Sequence, residues 1–272
     1  MTRLFGVIGS PIAHSLSPAM HSAALKALKI DAVYSPFEAP PNYLKPILRA
    51  LVLCGVEGLN VTVPLKERVI PLVDGLDPAA KAIGAVNTLV IRNRKITGYN
   101  TDALGFLKAL REMGRVEAGH AVVLGAGGAA RAVVWALSGI RGMRLTIANR
   151  HLSKAKRLAR QASHWHAGTG AIKATTLDKL HLKDADWLIN ATTVGMQPGK
   201  PPVDLSHLQR ATRVYDLIYH RETELVKAAR RRGCVASGGL SMLLYQGAQS
   251  LELWTRRKAP IEIMREALKR AL

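Results

Sequence analysis

Apolar and polar residues switch between two periods along this chain, and the switches mark out short strands and amphipathic helices. Leu4 to Ile8 reads as a strand, Pro18 to Leu28 as a helix, Ala32 to Phe37 as a strand, Tyr43 to Leu53 as a helix and Gly58 to Val63 as a strand. Such a β-α-β-α-β order predicts a mostly parallel sheet covered by helices. A hairpin follows, Val86 to Ile91 and Ile96 to Tyr99 about the basic turn Arg92 to Lys95, and then a helix from Ala103 to Met113 and the linker Gly114 to Gly119. A second alternating series has strands at Ala121 to Leu124, Arg144 to Ala148, Trp187 to Asn190 and Arg213 to Leu217. Its helices are Ala129 to Leu137, Ser153 to Ala162 and Glu222 to Arg232. The last helices, Ser241 to Trp254 and Ile261 to Leu272, are expected to pack back on the first series.

Length and composition refine this picture. A chain of 272 residues with 48% hydrophobic content is long enough for two cores. Its apolar runs, such as Ala129 to Leu137, stop well short of the roughly 18 residues of a membrane span. The start, Met-Thr-Arg-Leu-Phe-Gly-Val-Ile-Gly, has too short an apolar part for a secretion signal, so a cytoplasmic location is expected. Cys54 and Cys234 lack metal-site spacing; both read as small core residues, and no metal is expected. The net charge of +20 raises nucleic acid as a partner. Against that, the cations are scattered, as in Lys154, Lys156, Arg157 and Arg160, without interleaved aromatics for base stacking. A solvated basic surface that steers small anions is the expectation.

Val122-Val123-Leu124-Gly125-Ala126-Gly127-Gly128-Ala129-Ala130 is a buried strand running through Gly-x-Gly-x-x-Ala into a helix. Gly125 permits the tight turn, Gly127 admits a pyrophosphate and Ala130 keeps the helix close to the sheet, so the helix N-terminus faces phosphates. This context predicts a Rossmann-type dinucleotide domain. The strand Leu145-Thr146-Ile147-Ala148 ends in Asn149-Arg150 with no acid nearby, and Lys154 follows one turn later. A guanidinium clamps a 2′-phosphate with two charge-assisted bonds, so NADP is the predicted cofactor.

In Asn60-Val61-Thr62-Val63-Pro64-Leu65-Lys66, alternation puts Val61 and Val63 on one face and Asn60 and Thr62 on the other. Lys66 then stands past the carboxyl end of the strand, where open α/β sheets bind ligands. Asp102 precedes a helix and reads equally as an N-cap or a functional acid. Ser15 and Ser17 read as a turn and an N-cap before Pro18, or as ligand groups. Asn87 is a polar residue in a strand, and Gln246 one in an apolar helix.

Together, His-Ser-Leu-Ser-Pro at 14 to 18, Asn-Val-Thr-Val-Pro-Leu-Lys at 60 to 66, Gly-Ala-Val-Asn-Thr at 84 to 88 and Asn-Thr-Asp at 100 to 102 form an ordered set. With Gly-Ala-Gly-Gly-Ala-Ala-Arg at 125 to 131, Asn-Arg at 149 to 150 and Asn-Ala-Thr-Thr-Val-Gly-Met at 190 to 196, it resembles the shikimate dehydrogenase family over essentially the whole chain. The resemblance implies two α/β domains, residues 1–102 with 239–272 binding substrate and 103–238 binding NADP, with the active site in the cleft between them. It implies Lys66 and Asp102 as the catalytic pair and Ser15, Ser17, Thr62, Asn87 and Gln246 as partners of shikimate, with Asn60 and Tyr219 lining the same cleft. For NADP it implies Gly125, Ala126, Gly127, Gly128, Ala129, Asn149, Arg150 and Lys154, with Thr192, Leu217, Gly239 and Met242 on the nicotinamide side. The chain departs from the family at Tyr219-His220-Arg221, where Tyr-Asn-Pro is common, at His151 in place of Thr, and at Ser241 in place of Gly. A small-molecule substrate is implied, with neither nucleic acid nor membrane as partner and a monomer or homodimer as the assembly. The rival readings are a quinate-preferring dehydrogenase and a non-catalytic NADP or nucleic-acid binder.

Overall fold

The computed structural model describes residues 2–165 and 170–272. In chain order the elements are β1 (Arg3–Gly9), α1 (Ser17–Ala27), β2 (Ala32–Glu38), α2 (Leu44–Leu53), β3 (Val56–Val61), β4 (Gly75–Leu76), α3 (Pro78–Ile83), β5 (Thr88–Arg92), β6 (Lys95–Tyr99) and α4 (Asp102–Glu112). Then come β7 (Gly119–Leu124), α5 (Gly128–Ser138), β8 (Met143–Ala148), α6 (Leu152–Ser163), β9 (Ile172–Thr175), β10 (Trp187–Asn190), β11 (Arg213–Asp216), α7 (Glu224–Arg231), β12 (Ala236–Ser237), α8 (Leu240–Thr255) and α9 (Ile261–Ala271). They form two compact units, Met1–Gly105 with Leu243–Leu272, and Phe106–Met242.

The first unit holds a six-stranded sheet of order β2-β1-β3-β5-β6-β4. Strand β1 runs parallel to β2 and β3, the hairpin β5-β6 is antiparallel, and β4 is parallel to β6. Ile8, Leu48, Leu59, Val61, Leu65 and Leu89 form the core of one face. Aromatic rings gather elsewhere in this unit, where Phe5 stacks on Trp254 with centroids 5.3 Å apart and His21 lies flat on Tyr34 at 4.4 Å. Trp254 donates its indole N–H to the Leu89 carbonyl at 2.9 Å, which seats α8 on the sheet. Gly58 is required there, because a Cβ would stand 2.3 Å from Trp254 Nε1.

The second unit is a fully parallel sheet of order β12-β11-β10-β7-β8-β9. The order reverses between β7 and β10, the switch point of a doubly wound sheet. Helix α6 shows how the basic composition is carried: Ala155, Leu158 and Ala162 are buried, whereas Lys154, Lys156, Arg157 and Arg160 are exposed.

Two sequence expectations need correction. Strand β3 stops at Val61, because the Leu65 N–H returns to the Thr62 carbonyl at 2.8 Å, and Val63 is exposed in the resulting turn. Cys54 is not core: it caps the C-terminus of α2 and is exposed, whereas Cys234 is buried. Of the two readings left open for Asp102, the N-cap does not hold, since both carboxylate oxygens meet Lys66 and Asn87. The elements β4, α3, β9 and β12, of two to six residues, were not predicted, because so short a run repeats its period too few times to stand out from its neighbours. Among the described residues, no helix is long and apolar enough to cross a membrane, and no group of His, Cys, Asp or Glu is arranged to hold a metal.

Candidate active site

In the first unit the turns after β1 and β3 lie side by side. Ile8 pairs with Val61, and the Ser10 N–H reaches the Val63 carbonyl at 3.1 Å. Gly9 allows this approach, since a Cβ would meet Thr62 Cγ2 at 2.4 Å. Ser15, half-buried, accepts the N–H of buried Ser17 at 3.3 Å, so the Ser15 hydroxyl folds its own turn while Ser17 and Pro18 open α1. Thr62 is half-buried on the adjacent turn.

The Lys66 carbonyl accepts the Val86 N–H at 2.8 Å, and Val61 N–H reaches the Asn87 carbonyl at 2.8 Å, which fixes Lys66 beside Asn87. The Lys66 ammonium donates to Asp102 Oδ2 at 2.6 Å, with side-chain exposures of 14% and 4%. The other carboxylate oxygen of Asp102 accepts from Asn87 Nδ2 at 2.9 Å. Both oxygens therefore turn away from α4, whose Ala103 N–H is instead received by Asn100 Oδ1 at 3.3 Å. Asp102 is thus excluded from the capping role and held between the Lys66 ammonium and the Asn87 amide. Asn87 Nδ2 also lies 3.1 Å from Gln246 Oε1. Gly105 makes room for Gln246, because a Cβ there would stand 2.7 Å from the Gln246 N.

Lys66, Asp102, Asn87 and Gln246, widely separated in the chain, are thus joined by direct hydrogen bonds. Asn60 stands behind them. Its Oδ1 accepts from the Tyr34 hydroxyl at 2.8 Å and its Nδ2 reaches Ser250 Oγ at 3.0 Å, so its amide serves protein partners. Three hydroxyls that sequence reasoning did not single out complete the network. Thr88 and Ser250 lie 2.8 Å apart, Thr101 is 3.2 Å from Ser250, and Thr101 N–H donates to Asn87 Oδ1 at 2.7 Å. The usable signal was helical spacing, because Ser250 follows Gln246 by four residues and shares its helix face. Under this network lies His21, whose imidazole burial pushes down to about 3, with the Asn60 amide opposing.

The second unit carries the glycine motif. Gly125, at φ +111°, is dictated by the fold, since a Cβ there would lie 2.9 Å from the Ala191 carbonyl oxygen. Gly127 is different. Its φ is −89° and a Cβ would meet nothing within 4 Å, so the protein's own packing does not require a glycine. What the missing side chain preserves is open space at the start of α5, which begins at Gly128 without a side-chain cap. Uncapped N–H groups facing a cradle that a Cβ would fill suit a pyrophosphate. Ala126 and Ala129 line the same turn half-buried, and Ala130 is fully buried against the sheet. At the end of β8 the Asn149 amide donates to the His151 carbonyl at 3.0 Å, and Arg150 and Lys154 are exposed cations. No acid lies between Asn149 and Trp165, a donor set that fits NADP rather than NAD.

On the other side of β7, Thr192 follows β10, while Leu217 and Tyr219 follow β11. Leu217 N–H is held by the Asn190 carbonyl at 2.9 Å, and Tyr219 packs edge-on to His220 at 6.0 Å. Gly239 approaches so closely that a Cβ would stand 2.1 Å from the Leu217 carbonyl oxygen. Met242, nearly buried, donates its N–H to the Tyr215 hydroxyl at 3.2 Å.

Comparison with known proteins follows this division. Residues 7–89 match the shikimate dehydrogenase substrate binding domain, residues 108–197 the shikimate / quinate 5-dehydrogenase model and residues 239–269 the shikimate 5′-dehydrogenase C-terminal domain. The shikimate dehydrogenase (NADP(+)) of Methanopyrus kandleri is 44% identical over 98% of this chain and 95% of its own. The shikimate 5-dehydrogenase of Thermus thermophilus, solved with NADP(H) and shikimate, is 37% identical and superposes with a TM-score of 0.89 over 100% of both chains. A quinate dehydrogenase of Corynebacterium glutamicum, solved with NAD, is 33% identical with a TM-score of 0.86 over 99% of both. Full-length identity of this order, on a fold with the same two parts, leads to one conclusion: the chain belongs to the shikimate dehydrogenase family.

Proposed function

We propose that this chain catalyses the reversible NADP-dependent reduction of the 3-keto group of 3-dehydroshikimate to the alcohol of shikimate, in the biosynthesis of aromatic amino acids. The observation that carries the reading is the buried Lys66–Asp102 pair, anchored by Asn87 and Gln246. In this reading residues 1–102 and 239–272 form the substrate domain and 103–238 the NADP domain. The 2′-phosphate is held by Arg150 and Lys154, with Asn149 beside the adenosine. The pyrophosphate lies on Gly125, Ala126, Gly127, Gly128 and Ala129, and the nicotinamide side is bordered by Thr192, Leu217, Gly239 and Met242.

NADPH, when bound, supplies the hydride. The protein's task is then to manage the oxygen of the carbonyl, which gathers negative charge as its carbon is reduced. Lys66 is placed to donate a proton to that oxygen, and its positive charge stabilises the developing alkoxide before transfer. Asp102 holds the ammonium in one orientation and accepts from a substrate hydroxyl. Asn87 keeps Asp102 from rotating. Ser15, Ser17, Thr62 and Gln246 supply further polar contacts to the hydroxyls and carboxylate, with Asn60 and Tyr219 as neighbours. In the oxidative direction the neutral amine of Lys66 receives the hydroxyl proton. The same reading makes the chain a cytoplasmic enzyme, a monomer or homodimer.

The test is absorbance-monitored turnover by the purified protein with shikimate or quinate, each with NADP or NAD. The highest kcat/KM with shikimate and NADP is the expected outcome. A preference for quinate or NAD would reassign the specificity, and steeply salt-dependent nucleic-acid binding without turnover would refute the proposal.

A further inference from the structure

One buried acid has no part in the chemistry above. Asp216, the last residue of β11, is fully buried, and its carboxylate is met by neutral donors. Asn190 Nδ2 at 3.0 Å and the Ile218 N–H at 3.1 Å donate to Oδ1, and the Thr223 hydroxyl at 2.7 Å donates to Oδ2. Burial pushes the carboxyl above its ordinary range, and these three donors pull it back. A buried acid carries a desolvation cost that an apolar residue in β11 avoids, so the positions of its donors matter.

Each donor belongs to a segment leaving the carboxyl edge of the sheet. Asn190 ends β10, and its Oδ1 accepts both the N–H (3.1 Å) and the hydroxyl (2.7 Å) of Thr192, while its Nδ2 also reaches the Val194 carbonyl at 3.0 Å. Ile218 lies near the start of the segment after β11, and its carbonyl accepts the Gly239 N–H at 2.9 Å. Thr223 caps α7, receiving the Val226 N–H at 3.3 Å. The two segments also touch: a Cβ on Gly195, at φ +105°, would lie 3.2 Å from Ile218 Cδ1. Asp216 is the group common to all of them.

Topology says what these segments face. With the adenosine over β8 and the pyrophosphate at the β7–α5 turn, the remaining half of a dinucleotide extends across the switch point toward β10 and β11. We propose that Asp216 is a positioning residue whose buried carboxylate locks residues 191–196 and 217–223 into one surface for the nicotinamide half of NADP. The inference rests on the NADP reading given above. It predicts that loss of Asp216 spares the adenosine end and harms hydride transfer.

The experiment compares wild type with Asp216→Ala and Asp216→Asn. An asparagine keeps an oxygen for Asn190 and Ile218 and offers its amide to the Thr223 oxygen, so it should rescue part of the function. Affinity for adenosine 2′,5′-bisphosphate should stay within about twofold in Asp216→Ala, while kcat falls about 10- to 100-fold, as expected when reacting groups are misplaced without loss of chemistry. The deuterium isotope effect on kcat should rise, and amide hydrogen exchange should quicken at 191–196 and 217–223 but not at 125–131. Asp216→Asn should lie between wild type and Asp216→Ala, and it carries the test if the alanine variant does not fold. Native kcat in folded Asp216→Ala would overturn the proposal, as would exchange raised evenly over the second unit with equal loss of bisphosphate affinity. A wild-type protein that fails to bind NADP would defeat the cofactor reading, while the exchange pattern would still decide whether Asp216 couples the two segments.

Discussion

Acid should weaken the first unit through His21. Burial holds this imidazole neutral down to about 3, against an ordinary value of 6.5. Below 6.5 the unfolded chain therefore takes up a proton that the folded chain refuses. His21 imposes no penalty above the unfolded value; stability is lost as pH falls through it and goes on falling toward 3. At 1.36 kcal/mol per pH unit, the loss at about pH 5 is roughly 2 kcal/mol. His21→Phe removes the titration while keeping an aromatic ring against Tyr34, 4.4 Å away, and Trp254, 5.3 Å away. Urea unfolding of both proteins near neutrality and at about pH 5 gives four stabilities, and groups common to both cancel in the difference of differences. Wild type should lose about 2 kcal/mol more than the variant over this interval. Equal losses would refute the reasoning. The consequence reaches the site, because Tyr34 donates its hydroxyl to Asn60 at 2.8 Å.

Arg150→Ala should raise KM for NADP about 10- to 100-fold, the value of a charge-assisted contact of about 1.5–3 kcal/mol, and leave KM for NAD nearly unchanged; parallel kinetics with the two cofactors check this. Gly125→Ala and Gly127→Ala should part company. The first, forced to φ +111° against the Ala191 carbonyl, should lower stability by about 1–3 kcal/mol in thermal melts, whereas the second should melt close to wild type but bind NADP poorly by calorimetry. Asn87→Ala removes the 2.9 Å donor to Asp102, and kcat should drop more than KM for NADP rises, which steady-state kinetics would show.

Much of this was legible before any coordinates. The alternation of strands and helices gives both sheets, and Gly125 to Ala130 announces the dinucleotide turn, because these features are local and periodic. Lys66 was readable as a lysine just past the end of an apolar strand, and Asn87 as a polar group in one. What could not be read was partnership. Asp102 stood equally as cap and acid until Asn100 was seen to take the Ala103 N–H. The roles of Thr88, Thr101 and Ser250 depend on strand register and on how α8 lies against β3 and β5, which no local pattern encodes. Asp216 drew no notice inside the strand Arg213 to Leu217, and its importance arises from Asn190, Ile218 and Thr223 converging on it. Cys54 failed for the opposite reason, since an apolar neighbourhood in sequence became an exposed helix end.

The most direct measurement is the steady-state rate of shikimate oxidation by NADP in wild type and Lys66→Ala, with folding verified by circular dichroism. The rate should fall about 10²- to 10⁴-fold, or about 3–5 kcal/mol of barrier, while NADP affinity holds. Near-native turnover by folded Lys66→Ala would contradict the assignment of the proton donor and with it the account of the site.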